Sequence, residues 1–198
     1  MRVRPANRSD HGAIAAALAA AFASDPVMRF LLADDARRPA QLRRHFEASI
    51  PLYAASGSIW VAEDLAAAAL LVAPGAYPFR LREELSVARA RLEVFGRAPR
   101  RGLAVLRALD RRHPHEPPHW YLDYIGVEPA GQGRGLGSAL LAPLCARCDT
   151  EGRGAYLNAS SPRSRELYAR HGFAVRSELR LPFGGPPVWR MWRDPRPG

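Results

Sequence analysis

The sequence predicts an α/β fold, a mixed sheet with helices between its strands, and three observations carry that expectation. A β-rich run at Trp120 to Val127 leads into an alternating glycine loop, Gly131 to Gly137, that opens directly into a helix. A second strand-to-helix unit follows at Gly154 to Arg170, closed by Gly172-Phe173. With 198 residues and 47% hydrophobic side chains the chain can bury one sizeable core, and no shift of composition marks a boundary, so residues 1–198 read as a single domain.

Taken in order, Arg2 to Pro5 is a short first strand. Asp10 to Ser24 is a helix with Ile14, Leu18 and Phe22 as its apolar stripe, Ser9 or Asp10 as its N-cap and Asp25-Pro26 as its end. The same segment behind Arg2 and Arg4 has the outline of a signal peptide. Its apolar run is mostly Ala and begins only after Asn7, Asp10 and His11, so a helix of the domain is the better reading. Ala36 to Ala55 is a second helical region, and Ser58 to Ala62 with Ala66 to Val72 forms a hairpin around Glu63-Asp64. Pro74 to Pro78 breaks the chain, Leu81 to Phe95 and Gly102 to Arg112 are helical, and His113 to Pro118 is a loop. A strand at Trp120 to Val127, a helix at Gly135 to Thr150, a strand at Gly154 to Asn158 and a helix at Arg163 to Arg170 come next. Two strands near Ala174 to Leu181 and Val188 to Arg193 close the chain. No run reaches the ~18 to 20 apolar residues that a membrane helix requires.

All 29 basic residues are Arg, and the net charge is +10. With 18 Pro and long Ala runs this is the bias of a GC-rich coding sequence, and the Arg residues are scattered rather than interleaved with a nucleic-acid-binding aromatic pattern. No nucleic-acid partner is expected, although a positive field helps attract an anionic ligand. The lack of Lys excludes Schiff-base and Lys-nucleophile chemistry. Cys145 and Cys148 form a lone Cys-x-x-Cys on one helix face without further ligands, so no metal site is expected and two reduced thiols, as in the cytoplasm, are the reading.

The glycine loop is a cradle for an anion. A helix start leaves its first N–H groups without intrahelical partners and carries a partial positive charge. Gly133, Gly135 and Gly137 let the backbone approach phosphate oxygens, and Arg134 can add a charged contact. The spelling excludes a Walker loop, which needs Gly-Lys-Ser/Thr, and a Gly-x-Gly-x-x-Gly dinucleotide turn.

What is left, Gln132-x-x-Gly135-x-Gly137 behind a strand ending in Gly126-Val127-x-Pro129, resembles the pyrophosphate loop of the GNAT superfamily of acyl-CoA-dependent N-acetyltransferases. Ser164-x-x-x-Tyr168-x-x-x-Gly172-Phe173 resembles that family's second signature. Pro117 to Val127, Ser161-Pro162-Arg163 and Gly185 to Met191 are similar to its puromycin N-acetyltransferase branch, whose members act on different acceptors. The resemblance implies a seven-stranded, mostly antiparallel sheet splayed between its fourth and fifth strands, with acetyl-CoA in the gap and no metal. It implies pantetheine contacts on the backbone of Ile125, Gly126 and Val127, with an oxyanion donor near Ile125. Gln132, Gly133, Arg134, Gly135, Leu136, Gly137 and Ser138 would hold the diphosphate, Asn158 the pantetheine arm, and Tyr168 would be the general acid. Where relatives often carry Asn at the start of the Tyr helix, this chain has Ser164, a further cofactor contact.

Amide formation from an ammonium and a thioester needs a base, an oxyanion donor and a proton for the leaving thiolate. A phenol at about 10 and a thiol at about 8.5 make the last transfer uphill by only ~2 kcal/mol. For the base, some branches of the family use a Glu on the fourth strand, where this chain has Tyr121. Asp123 lies two residues on, which by strand alternation places it on the face of Tyr121 and Ile125. Asp123 is the carboxylate candidate, with a structural role or an acceptor-ammonium contact as alternatives, and His119 could act through water. Phe22, Asp25, Met28, Phe30 and Tyr53 suit a cationic amine on an apolar body or, equally, core packing. The expected activity is acetyl transfer from acetyl-CoA to a primary amine of a small, aminonucleoside-like molecule. A protein or peptide amine, a non-catalytic acyl-CoA-binding regulator and a basic nucleic-acid-binding module are the alternatives. Trp189 and Trp192 face either the core or a second copy, which leaves a homodimer open.

Overall fold

Every residue of the strand Ala67–Val72 (β3) is buried, and its alternating side chains enter two separate cores, so helices must cover both of its faces. The structure is a computed structural model that describes residues 2–55, 58–79, 81–95 and 99–196. Seven strands, β1 (Val3–Pro5), β2 (Ile59–Ala62), β3, β4 (Trp120–Val127), β5 (Ala155–Ala159), β6 (Ala174–Arg180) and β7 (Pro187–Arg193), form one sheet in the order β1-β2-β3-β4-β5-β7-β6. All neighbours are antiparallel except β4 and β5. These two pair only from Trp120 to Leu122 against Ala155 to Leu157, and beyond that point β4 has no strand partner on its β5 side among the described residues. The sheet therefore splays between its fourth and fifth strands.

Helices α1 (His11–Phe22) and α3 (Arg38–Ala55) cover one face, where Ile14, Leu18, Leu42, Phe46 and Ile50 pack on Val61, Ala68, Leu70 and Val72. Helices α6 (Leu136–Glu151) and α7 (Pro162–Arg170) cover the other, where Leu140, Leu141, Leu144 and Tyr168 meet Ala69, Leu71, Leu122, Leu157 and Met191. Each buried Leu, Ile, Val, Phe or Met among these contributes about 1.5–3 kcal/mol. Helix α4 (Leu81–Phe95) adds Val87 and Val94 to the first core. A smaller group, Val27, Val105, Leu181 and Val188, joins α2 (Pro26–Leu31) and α5 (Pro99–Asp110) to the end of the β6–β7 ribbon. Among the described residues no helix is long and apolar enough to cross a membrane.

Three local expectations need correction. Asp25-Pro26 ends α1 but also starts α2: Asp25 Oδ1 accepts from Val27 N at 2.9 Å and Met28 N at 3.0 Å, with Pro26 in the first turn. Asp10 makes no side-chain cap for α1; the cap is Asn7, on the short 3-10 turn Arg8–Asp10, and Asp10 accepts from Asn7 N at 2.8 Å and from both Arg4 Nη atoms at 2.7 and 2.9 Å. Helix α5 begins at Pro99 rather than Gly102, because proline is tolerated in a first turn.

Strand β4 changes the face it presents halfway along. Its partners on β3 run Leu71↔Leu122 and then Leu70↔Tyr124, so Asp123 is an extra, bulged residue. Trp120 and Leu122 enter the α6 core and Tyr121 the α1 core, whereas beyond the bulge Ile125 and Val127 enter the α6 core and Tyr124 the α1 core. Asp123 therefore shares a face with Tyr121 but not with Ile125, which overturns the alternation expected across Tyr121, Asp123 and Ile125.

Candidate active site

A cleft of about 590 Å³ opens where β4 and β5 part, walled by the α1–α2 junction, the glycine loop and α7. One wall is backbone. Gly133 and Gly135 hold φ values of +80° and +82°, a left-handed geometry that costs other residues about 1–2 kcal/mol. With them the chain turns back so that the first N–H groups of α6, which have no intrahelical acceptor, point outward. Gln132 latches this turn in place: its Nε2 donates to Val127 O at 3.1 Å, and its Oε1 accepts from Arg163 Nη1 at 2.8 Å. Arg163, which also lines the cleft, and Arg170 add positive charge to this wall. Helix α7 starts on a reciprocal cap, Ser161 Oγ accepting from Ser164 N and Ser164 Oγ from Ser161 N, both at 3.1 Å, around Pro162. Ser164 thus has a structural duty beside its place in the cleft.

Tyr168 rises from α7 into the splay, 7% exposed, and its helix ends on Gly172 at φ +87° with Phe173 N donating back to Tyr168 O at 3.1 Å. That turn packs Phe173 near the Tyr168 ring and explains the Tyr-to-Gly-Phe spacing. Burial, with the nearby Asp25 carboxylate adding to it, pushes the Tyr168 phenol well above its ordinary range, so it holds its proton at neutral pH and gives it up less readily than the ordinary phenol assumed from the sequence.

The opposite wall is built from side chains. Gly126 lets α1 lie directly on β4, since a Cβ there would stand 2.8 Å from Ala21 Cβ and 2.9 Å from Leu18 Cδ2. This contact brings Phe22 and Asp25 to the cleft, and Arg38 steadies the junction by donating to Leu32 O at 2.8 Å and Ala23 O at 3.2 Å. Asp25 Oδ2 accepts from the hydroxyl of Ser160, on the loop after β5, and burial raises the Asp25 carboxyl above its ordinary value. Asp123 Oδ2 accepts from Tyr53 Oη at 2.5 Å and Oδ1 from Tyr121 Oη at 2.7 Å, and burial raises both phenols well above 10. Asn158 lines the β5 side, its Oδ1 accepting from Tyr156 Oη at 2.9 Å.

Of the residues expected at the site, Asp123, Ile125, Gly126, Val127, Gln132, Gly133, Gly135, Leu136, Gly137, Ser138, Asn158, Ser164 and Tyr168 line this one cleft, and Arg134 does not. Among the acceptor candidates Phe22 and Asp25 reach it, whereas Met28 and Tyr53 are core residues and Phe30 packs against Gly185. His119 lies outside the lining, its Nε2 3.3 Å from His113 Nε2 and its ring against Tyr156 and Trp192. Burial lowers its proton affinity and pushes His113 down to about 3. Trp192 is engaged within the chain, and Trp189 packs under Arg165. Cys145 and Cys148 are unbridged, with both thiols raised by burial. The Asp25–Ser160 contact and the charge of Arg163 were not foreseen. The first joins residues 135 positions apart; the second was visible only as a motif member.

Residues 83–173 match the model of the Acetyltransferase (GNAT) family. A crystal structure from Corynebacterium glutamicum, described as histone acetyltransferase HPA2 and related acetyltransferase, is 30% identical, with a TM-score of 0.76 over 99% of this chain and 97% of that one. An uncharacterised N-acetyltransferase of Schizosaccharomyces pombe is 27% identical over 194 residues, covering 91% of this chain and 77% of the relative. Arylalkylamine N-acetyltransferase 2 of Aedes aegypti, at 12% identity and a TM-score of 0.62 over 98% of this chain and 99% of that one, shares the fold. With the splayed sheet, the glycine turn and the Tyr168 helix all in place, the chain belongs to the GNAT family of acetyltransferases and is an acyltransferase enzyme.

Proposed function

We propose that this enzyme transfers acetyl from acetyl-CoA directly to a primary amine of a small molecule with an apolar, aminonucleoside-like body. The observation that carries the reading is the pairing, across one cleft, of an anion cradle and a buried phenol with a carboxylate-bearing aromatic wall. The cradle suits a diphosphate, because the α6 N-terminus offers unpaired N–H groups, two positive-φ glycines remove steric bulk, and Arg163 supplies charge. Acetyl-CoA, when bound, supplies the reactive thioester. The chain's own residues do the rest. The β4 edge beyond Leu122 offers backbone hydrogen bonds at Ile125 and Val127, Asn158 faces the same gap, and Tyr168 holds a proton for the leaving sulfur. On the other side Phe22 and Leu122 supply apolar surface, and Asp25 and Asp123 favour a cationic acceptor. A protein or peptide amine is the second reading, favoured by the similarity to the C. glutamicum structure, which is described as a histone acetyltransferase.

The test is CoA-thiol release with a panel of amines that includes puromycin, simple arylalkylamines and a Lys-containing peptide. Turnover of a small amine with much higher kcat/KM than the peptide is expected. Turnover of the peptide alone would overturn the small-molecule reading.

A further inference from the structure

The geometry points to Asp25 and Ser160, rather than Asp123, as the pair that takes the proton from the acceptor's ammonium. This rests on the amine-acetyltransferase reading above and assigns the base within it. Asp123 accepts phenol hydrogens from Tyr53 at 2.5 Å and Tyr121 at 2.7 Å, two side chains that do not line the cleft, and these bonds tie the β4 bulge to α3. Asp25 is held differently. Its Oδ1 takes two helix N–H groups, at 2.9 and 3.0 Å, which fix the carboxylate plane, and its Oδ2 meets the Ser160 hydroxyl at the cleft surface. Among the described residues no Arg or His is ion-paired with it. Its location at the α1–α2 junction is set by Gly126 and Arg38, so the geometry is rigid rather than incidental.

The step balances as a proton relay. An N–H bond of the ammonium breaks, the proton passes to Ser160 Oγ as the serine's own proton passes to Asp25 Oδ2, and the nitrogen is left with the lone pair that attacks. Asp25 later returns its proton to solvent. As the amide forms, the nitrogen sheds a second proton, which restores the Tyr168 phenol after the departing sulfur has taken the phenol's own proton. Burial, which raises the Asp25 carboxyl, makes it a better base than an exposed Asp. Asp25 also feels Tyr168: its negative charge helps hold the phenol proton in place, and neutralising Asp25 removes that hold. The other charged groups lining this cleft are Asp123 on its own wall and Arg163 and Arg170 on the α7 side.

The test compares two acceptors of nearly equal shape in the full chain. Phenethylamine is an ammonium at neutral pH, whereas O-benzylhydroxylamine is already neutral and needs no base before attack. Asp25→Asn, which keeps the helix cap, should lower thiol release with phenethylamine by about 100-fold or more while lowering it less than tenfold with O-benzylhydroxylamine. Ser160→Ala should show the same split at smaller amplitude. CoA affinity, measured by calorimetry, should stay within about threefold in both variants, which shows that the fold and the cradle are intact. An equal loss with both acceptors, or no loss with phenethylamine, overturns the assignment while leaving the transferase reading standing. A wild type that releases thiol with neither amine, nor with any other small amine of the panel above, overturns the small-amine reading and this assignment together.

Discussion

The wall of the cleft that faces α6 and α7 is made largely of backbone, whereas the wall that faces α1 and α3 is made of side chains gathered from distant parts of the chain. On the first wall the proposed binding groups are the N–H groups of a turn that Gly133 and Gly135 make possible, and the turn, its helix and its latch Gln132 lie within a few residues of one another. On the second wall Asp25 meets Ser160 across 135 positions and Tyr53 meets Asp123 across 70. A site for a constant ligand can be written in local backbone geometry. A site for a variable ligand is written in side chains, which can change without disturbing the turn.

That contrast can be broken at several points. The largest effect is expected at the junction of the walls, where Tyr168→Phe removes the phenol proposed as proton donor to the leaving sulfur. Its kcat should fall about 100-fold or more with CoA affinity little changed, measured by thiol release and calorimetry. Gly126→Ala comes next. A methyl 2.8 Å from Ala21 Cβ and 2.9 Å from Leu18 should cost about 1–3 kcal/mol in urea unfolding and push the α1–α2 junction away from β4. Tyr53→Phe removes one of the two phenol donors from Asp123. It should cost about 1 kcal/mol of stability and raise the acceptor KM without altering CoA binding.

The smallest effect lies away from both walls. Asp10 is held down at about 2 by the Arg4 guanidinium and by Asn7 N–H. A carboxyl whose folded pKa is lowered stabilises the fold above its ordinary value near 4 and loses that contribution as pH falls through about 2. Asp10→Asn should therefore flatten the acid limb of thermal stability in that window and leave kcat/KM at neutral pH as it was.

The backbone wall was legible in the sequence, since a glycine turn before a helix and a Tyr four residues before Gly-Phe are local patterns with local causes. Strand β4 was read from Trp120 to Val127, its observed bounds, because a β-rich run ending in glycine has clear edges. The bulge was not legible. Nothing in Leu122-Asp123-Tyr124 signals an extra residue; it is created by pairing with Leu70 and Leu71 about fifty positions earlier, and it reverses the face of every later side chain. Helix α2 was missed for a related reason: Asp-Pro reads equally as a stop and as a cap with a first-turn proline, and only packing against α5 and the β6–β7 end decides. Asp25 was visible as an acidic residue near an aromatic stripe, but its partner Ser160 lies on another strand's loop, and no spacing rule joins them.

The most direct test of the division between the walls is a calorimetric titration of CoA into Gly135→Val and Asp123→Asn side by side. A branched side chain at a φ of +82° should deform the turn and weaken CoA binding at least tenfold, whereas Asp123→Asn should bind CoA within about threefold of wild type. Equal affinities in the two variants, or a larger loss in Asp123→Asn, would contradict a donor site built from backbone on one wall alone.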